Sequence, residues 1–431
     1  MLGEKYGLSQ ALIATTVLKG AFFLIGVAII GAFHPWTMLN SCSSTSQPVS
    51  VYQFTPWAHI EAYTDYRDLY LPCLVSPFLK GATPYHLNTI VYNYPPLFIY
   101  LIGAFAYFAN VIWVPALPLV IFDILTAIPV YLIAKEFLFR GDSKLAFLVT
   151  LFVAANPINL LYNDLMWLNP GPTTFFLVLS IYFFLKEKWM FSSLSLAIST
   201  GFKQISVILF PVLLILLWKG YGFSKKLVVY ASVYFVSLVV ISYPYIFNDS
   251  QNYFWSLNLP ILGVPPNAPN NAPTFTASLS EPVRITTFFG FISPALRPFV
   301  LESYLYLDYA LAMIFGTFLI YLIIRERIKN SQNSIISPGE VLVFSLTAFL
   351  IFLSLFGRGD YKYYFASITP LCLPMTKSKF MALVFEVLSL ILVLAPREVT
   401  PWIAVLFLTF VPRMFEETVG EGLLLRANSP I

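Results

Sequence analysis

Long apolar runs separated by short polar stretches constrain this chain more than any other feature. Of its 431 residues, 58% are hydrophobic and only 11% are charged, against roughly 25% charged residues in an ordinary soluble domain. Because a helix of about 20 residues crosses the hydrocarbon core of a bilayer, the chain is long enough for about a dozen spans. We therefore exclude a soluble protein and predict an all-α polytopic membrane protein, a single domain over residues 1–431 with about twelve transmembrane helices.

The distribution of basic residues predicts the orientation of these spans, because cytoplasmic loops are enriched in Lys and Arg. Basic clusters recur after every second apolar segment, provided that residues 96–112 do not cross as a single span. Both termini are then cytoplasmic, and two long loops, 34–95 and 248–301, face outside. The clusters are Arg140/Lys144, Lys186/Lys188, Lys219/Lys225/Lys226, Arg325/Arg327/Lys329 and Lys377/Lys379.

Lys19 and Asp123 are charged residues in the interior of apolar segments, Lys19 in the N-terminal half of its segment. The first span, Leu12–Phe33, is too long for a signal peptide and lacks a small-residue cleavage pattern, and we expect its Lys19 to snorkel to the interface. Asp123 lies within a later span, where an unpaired carboxylate is costly, so we expect it to pair within the helix bundle. In the first outer loop, Cys42 and Cys73 can form a disulfide in an oxidising compartment or remain free, packed thiols.

The first outer loop holds an unusual concentration of charge. The segment Trp57–Leu79 has near-helical spacing that puts Glu61, Asp65 and Asp68 on one face, which predicts an amphipathic helix lying along the membrane surface. A carboxylate there can act as a general base towards a hydroxyl, and two together can bind a divalent cation such as Mg²⁺ or Mn²⁺. A solvated helix face is the alternative interpretation. The three histidines in the loop lack the spacing of a zinc site.

Several motifs, taken in order along residues 60–375, resemble those of GT-C superfamily glycosyltransferases. The similarity is to the catalytic subunit of GPI mannosyltransferase I and to bacterial and archaeal polyprenyl-phosphate-mannose-dependent transferases. The motifs are Tyr63–Tyr70 (YTDYRDLY), Leu79–Tyr85 (LKGATPY), Tyr92–Leu97 (YNYPPL), Phe122–Ala127 (FDILTA), Asn156–Asn159 (NPIN), Gly201–Gln204 (GFKQ) and Arg358–Phe365 (RGDYKYYF).

This resemblance implies a GT-C-like fold and an inverting transfer of one sugar, in the first instance mannose, from a dolichyl- or polyprenyl-phosphate to a hydroxyl. The acceptor would be a lipid-linked glycan or glycolipid at the outer membrane face. Asp65 would be the general base and Asp68 a metal or acceptor ligand. Where the family usually has Asp-x-Asp, this chain has Arg67 two residues after Asp65. The resemblance assigns the donor phosphate to Lys203, Gln204, Arg358 and Lys362, and the sugar or acceptor to Glu61, Arg67, Tyr85 and Tyr94.

The expected partners are the lipid-phosphate-sugar donor, the acceptor, membrane lipids and a small membrane subunit, and no nucleic acid. The expected location is the cell membrane of a prokaryote or the endoplasmic reticulum (ER) membrane of a eukaryote. A transporter or flippase of lipid-linked sugars is the main alternative, although transporters usually concentrate ionisable groups at mid-membrane and contain repeats. An oligosaccharyltransferase would require a large soluble domain and a Trp-Trp-Asp motif, and the sequence contains neither.

Overall fold

A computed structural model describes residues 6–30, 33–38, 52–55, 58–60, 64–85, 92, 94–168, 170–257, 262, 337–355, 362–395 and 400–415. These residues form a helical bundle, as the composition predicts. Its α-helices are α1 (Leu8–Ile30), α2 (Ser76–Leu79), α3 (Pro96–Phe108), α4 (Leu117–Leu125), α5 (Ala127–Ile133), α6 (Ser143–Ala154), α7 (Pro157–Asn159), α8 (Pro170–Leu185), α9 (Trp189–Phe202), α10 (Leu209–Tyr221), α11 (Lys225–Asn248), α12 (Ser250–Ser256), α13 (Pro338–Leu355), α14 (Tyr363–Ile368), α15 (Lys379–Leu394), α16 (Thr400–Thr409) and α17 (Val411–Phe415).

Shorter elements connect these helices. Two strands, β1 (Tyr52–Thr55) and β2 (Ala58–Ile60), pair as an antiparallel hairpin with Tyr52 opposite Ile60. Tight 3-10 turns occupy Trp36–Met38, Val114–Ala116, Gln204–Ile208 and Thr369–Lys377. Wider π-helical turns occupy Thr64–Val75, Ala134–Leu138 and Leu160–Leu165.

Four continuous helical segments among the described residues are long and apolar enough to cross a membrane: Leu8–Ile29, Val114–Leu138, Gln204–Tyr221 and Lys225–Asn248. A fifth is added if Ser143–Ala154 and Pro157–Leu165, which are bent by 46° at their junction, form one broken span. The expected number of twelve is not confirmed. Helix α3 has 13 residues and is therefore about 20 Å long, too short to cross alone, as the orientation argument requires of residues 96–112.

The predicted surface helix over Trp57–Leu79 begins later than expected. Residues Ala58–Ile60 form a strand, and helical structure starts at Thr64. The turn from Thr64 is π-helical, and Pro72 within it cannot donate a backbone hydrogen bond. Because i→i+5 bonding widens the turn, the spacing that put Glu61, Asp65 and Asp68 on one α-helical face does not apply. Tyr66, Tyr70 and Leu74 are buried, so this segment packs into the bundle.

The two ends of the bundle carry different groups of described residues. At one end the basic residues predicted to be cytoplasmic lie among acidic partners: Lys186 Nζ is 3.0 Å from Glu136 Oε2, and Lys219 Nζ is 3.0 Å from Glu340 Oε1. Tyr131 donates to the Tyr6 carbonyl at the same end. The opposite end gathers the Thr64–Val75 turn, the start of α3, Lys203 and the start of α14. The predicted site residues Lys203, Gln204 and Tyr94 lie at this end.

Close helix packing near the centre requires a glycine. A Cβ atom at Gly171, in the first turn of α8, would lie 2.1 Å from the Leu119 carbonyl oxygen and 3.3 Å from Asp123 Cβ. Only a residue without a side chain allows α8 to approach α4 so closely. The contact fixes the start of α8 against the part of α4 that carries Asp123.

Candidate functional site

A buried ionic cluster joins three helical segments in the middle of the bundle. Lys19 of α1 donates to Asp123 of α4 and, at 3.0 Å, to Asp164 Oδ2. Asn163 Nδ2 donates to Asp123 Oδ1 at 2.8 Å. All three charged side chains are buried. The expectation that Asp123 pairs within the bundle is confirmed, whereas the expectation that Lys19 snorkels is wrong, because its ammonium is held by two carboxylates.

The local structure of the third segment brings Asp164 into this cluster. Asn156 caps the bend between α6 and α7 by accepting from the Ile158 backbone N–H at 3.1 Å, and Pro157 follows it. The π-helical turn Leu160–Leu165 then places Asn163 and Asp164 inward. Sequence reasoning missed Asp164. The available signal was an acidic residue, preceded by three asparagines at 156, 159 and 163, close after an apolar run.

A small cavity adjoins the cluster. It has room for about one water molecule, roughly 10 Å³, and its polar lining comes from Thr15, Lys19, Asp123, Thr126, Thr150 and Asn159. The hydroxyl of Thr15 is buried and has no hydrogen-bond partner among the described residues. The cluster is therefore a polar compartment inside an otherwise apolar bundle.

A line of aromatic rings runs from the ionic cluster towards one end of the bundle. This end lies opposite the basic clusters. Trp167 is buried, and its backbone adopts the left-handed conformation (φ 54°). Its ring contacts Phe23 and Tyr66 at centroid distances of 5.4 and 5.3 Å. Tyr66 contacts Tyr70 at 6.4 Å. The Tyr70 and Tyr94 hydroxyls are 3.2 Å apart. The π-helical turn that carries Asp65 is thereby linked to the residues preceding α3.

Lys203 lies at the end of this line, covered by tyrosine rings. It separates α9 from the Gln204–Ile208 turn in an extended conformation. Its Nζ is 4.1 Å from the ring centroids of both Tyr363 and Tyr364 and 6.0 Å from that of Tyr94. Such contacts are attractive because the ring face is electron-rich. We call Lys203, Tyr94, Tyr363 and Tyr364 the Lys203 site.

The structure brings together some of the predicted site residues. Lys203 and Tyr94 meet directly, and Gln204 begins the turn beside them. Asp65, Arg67 and Asp68 belong to the backbone of the π-helical turn, but their side chains lie outside what the structure describes. Glu61 and Arg358 lie wholly outside the described residues. The base, acceptor and metal roles assigned to these residues stay predictions.

Lys362 and Tyr85 have other neighbours than the predicted phosphate and sugar. Lys362 donates to the carbonyls of Ala395 and, at 3.2 Å, of Val393, so its ammonium lies at the end of α15, where cations stabilise a helix. The Tyr85 ring contacts Tyr92, Tyr245 and Tyr253, and its hydroxyl donates to the Tyr94 carbonyl at 2.9 Å. Their predicted ligand roles are not tested by these contacts.

The tyrosines around Tyr85 remain neutral at physiological pH. Burial raises the pKa of Tyr85 and of Tyr92, and it raises the pKa of Tyr253 to about 12. Because a phenol with so high a pKa is a poor general base at neutral pH, these groups serve as hydrogen-bonding and packing groups. They hold the loop before α3 against α11 and α12.

The two described cysteines differ in state. Cys73 is disulfide-bonded, which fits a loop in an oxidising compartment, whereas Cys372 is a buried free thiol. Cys42 lies outside the described residues. Within the described ranges, no group of three or more His, Cys, Asp or Glu side chains could hold a metal ion.

Comparison with known proteins relates part of this architecture to one pathway. No curated protein matches the chain. A family model does match residues 75–272, which include α2 to α12, the ionic cluster's two aspartates, and Lys203 and Tyr94 of the Lys203 site. The match is to a membrane protein of the glycosylphosphatidylinositol (GPI) pathway, and not specifically to a GT-C mannosyltransferase. Over residues 75–272 the chain is similar to the family described as GPI transamidase subunit PIG-U.

Proposed function

We propose that this chain is a membrane-embedded subunit of a GPI transamidase in the ER membrane. The observation that carries the proposal is the family match over residues 75–272, which covers most of the described helical bundle. The disulfide at Cys73 supports it, because the ER lumen is oxidising. On this proposal the end of the bundle that carries Cys73 and the Lys203 site faces the lumen, and the basic clusters face the cytoplasm.

Such a subunit is part of a complex that joins proteins to a finished GPI glycolipid. Depleting the chain should therefore leave the glycolipid complete, while substrate proteins keep their C-terminal attachment signal. Radiolabelled glycolipids separated by thin-layer chromatography, together with the molecular mass of a reporter protein, measure both effects. A normally processed reporter after depletion contradicts the proposal.

A second candidate is the glycosyltransferase that the motifs resemble, and one observation favours it. Three of the resembling motifs meet in space: Tyr70 bonds to Tyr94, and Tyr94 lies 6.0 Å from Lys203. An enzyme that uses a lipid phosphate needs a cation near the leaving group and a base, here Asp65, on the other side of the sugar.

The same depletion experiment separates the two candidates. A glycosyltransferase that builds the GPI glycolipid would leave it truncated, lacking one sugar and those added later. For the enzyme itself, purified protein should move label from dolichyl- or polyprenyl-phosphate mannose to a glycolipid, and Asp65→Asn should abolish this transfer. Full transfer by Asp65→Asn contradicts the assigned base.

A further inference from the structure

Two stretches of the chain, at the starts of helices α9 and α11, are rich in lysine. Residues 186–188 and 219–226 together hold five lysines and one glutamate. Two of these lysines form the ion pairs with Glu136 and Glu340 described above, so five positive charges stand against three negative ones. The lysines that form no ion pair with a described residue are Lys188, Lys225 and Lys226. We call these three residues the α9/α11 lysine patch.

Helix packing brings the starts of α9 and α11 side by side. Near the basic end, Ser193 Oγ donates to the Tyr230 carbonyl at 2.5 Å, and further along, the hydroxyls of Thr200 and Tyr234 are 3.0 Å apart. Because the residue numbers rise together along both helices, α9 and α11 run in the same direction. Both helices therefore begin at the end of the bundle that holds the basic clusters.

Aromatic rings hold one lysine of the patch in place. Lys226 Nζ is 3.5 Å from the ring centroid of Tyr221 and 5.8 Å from that of Trp189, and these two rings contact each other at 5.5 Å. Lys188 directly precedes Trp189, Lys225 directly precedes Lys226, and both side chains are exposed. The patch therefore combines one ammonium held against rings with two that are open to the surroundings.

Helix stability does not explain the position of these lysines. A positive charge at the start of a helix opposes the helix dipole, and neither α9 nor α11 has an acidic residue in its first turn or a side-chain hydrogen bond at its N-cap. Helix α6 shows the favourable arrangement: Asp142 accepts from the backbone N–H groups of Lys144 and Leu145 at 2.9 and 3.0 Å. The starts of α9 and α11 lack the negative group that α6 has.

Exposed apolar side chains accompany the patch. Phe223, which is 86% exposed, lies in the loop between α10 and α11, two residues before Lys225. Met190 and Phe191, in the first turn of α9, are also exposed. A free inorganic anion gains nothing from such neighbours, whereas a phospholipid offers a phosphate to the lysines and acyl chains to the apolar side chains.

We propose that the α9/α11 lysine patch binds the headgroup of an anionic glycerophospholipid in the cytoplasmic leaflet, with the acyl chains beside Phe223. The cytoplasmic leaflet carries anionic lipids, and each nearby lysine adds to their attraction. The bound phosphate supplies the negative charge that the starts of α9 and α11 lack. The inference depends on the predicted orientation of the basic clusters and is independent of the transamidase assignment.

Photocrosslinking to lipids tests the proposal with the full-length chain in phosphatidylcholine nanodiscs. Phosphatidylserine and phosphatidylcholine, each with a diazirine in one acyl chain, are added separately at equal mole fraction, and mass spectrometry measures the labelling of peptides that contain residues 188–191 or 223–226. We expect phosphatidylserine to label them about tenfold more than phosphatidylcholine does. This ratio should fall to about one in Lys188→Gln/Lys225→Gln/Lys226→Gln, and it should stay within about twofold of its original value when the same three lysines are replaced by arginine.

The matched control removes the same number of positive charges from the same end of the bundle, outside the patch. It combines three substitutions at exposed positions, Arg140→Gln, Lys144→Gln and Lys379→Gln, and it should leave the ratio unchanged. A ratio near one in the unchanged chain overturns the proposal, and so does a ratio that the patch substitutions leave high or that the control lowers equally. Loss of labelling in inorganic phosphate, but not in potassium chloride of equal ionic strength, would indicate a site for a free anion and would also overturn it.

Discussion

Two buried lysines of the same bundle, Lys19 and Lys203, are stabilised by different chemistry. Lys19, in the middle of α1, is held by the carboxylates of Asp123 and Asp164. Lys203, at one end, lies 4.1 Å from each of two tyrosine rings. Carboxylates cancel the charge of an ammonium, whereas aromatic rings attract it without cancelling it.

The difference separates what holds the bundle together from what can act on a ligand. The Lys19 cluster needs α1, α4 and the Leu160–Leu165 turn at once, so it ties three segments into one arrangement. At the Lys203 site, tyrosine rings of two segments far apart in the chain cover an ammonium at one end of the bundle. We therefore expect substitutions in the Lys19 cluster to act mainly on stability. We expect substitutions at the Lys203 site to act less on stability and more on the binding of an anionic lipid.

The largest effect is expected from Lys19→Met. It removes the ammonium and leaves two buried carboxylates facing each other, which should lower the free energy of unfolding by about 3–5 kcal/mol. Unfolding by sodium dodecyl sulfate in mixed micelles measures this. The control is Lys80→Met at an exposed position after α2, with an expected change within about 0.5 kcal/mol. Equal stability of the two variants would show that the ionic cluster does not hold the bundle together.

The next effect concerns the glycine beside Asp123. Gly171→Ala puts a methyl group against the Leu119 carbonyl and should push α8 from α4 at a cost of about 1–3 kcal/mol. The matched control is Gly20→Ala in α1, where a Cβ would meet nothing within 4 Å, so it should be neutral or slightly stabilising. The same unfolding assay compares them, and a neutral Gly171→Ala would mean that the two helices can separate freely.

A smaller effect is expected at the Lys203 site. Tyr364→Leu removes one of the two rings nearest Lys203 and should cost about 1–2 kcal/mol, whereas Tyr364→Phe keeps a ring and should cost less than half of that. The difference between the two free energies of unfolding isolates the ring contact. Equal losses would indicate that the tyrosine hydroxyl matters rather than the ring face.

The smallest effect is expected from the pair at the basic end of the bundle. Lys186 and Glu136 are 40% and 32% exposed, so Lys186→Gln should change stability by no more than about 0.5 kcal/mol. The hydrogen bond and charge of Glu136 raise the pKa of Lys186 above its ordinary 10.5. Any stabilisation is therefore fully present below pH 10.5 and is lost only above it, and unfolding curves at pH 6 and pH 9 should show the same small difference between Lys186→Gln and the unchanged chain.

The apolar pattern predicted the helical class and the first span, which is α1. It also indicated that Asp123 needs a partner, because a lone carboxylate inside a span is unstable. It could not identify the partner, since Lys19 and Asp123 are 104 residues apart in the chain and only the packing of α1 against α4 brings them together. The snorkelling prediction considered only the position of Lys19 within its own span, whereas its partners come from segments far away in the chain.

The π-helical turns account for the other differences. A period of 3.6 residues was used to assign faces over Trp57–Leu79, and a turn that begins at Thr64 with i→i+5 bonds presents different residues to the bundle. The turn Leu160–Leu165 similarly makes Asp164 an interior residue. Short wide turns leave no clear periodic signal, whereas the tyrosines before α3 and Lys203 could be placed together because their motifs occur in a familiar order.

The distance along the chain between Lys19 and its partners has a consequence for biosynthesis. Asp123 and Asp164 follow Lys19 by 104 and 145 residues, so the ribosome delivers α1 to the membrane well before either carboxylate exists. On insertion scales a lysine at the centre of a span costs about 2.5–3.5 kcal/mol. Helix α1 therefore reaches the bilayer before either carboxylate, and Lys19 has no carboxylate partner from this cluster until Asp123 has been made.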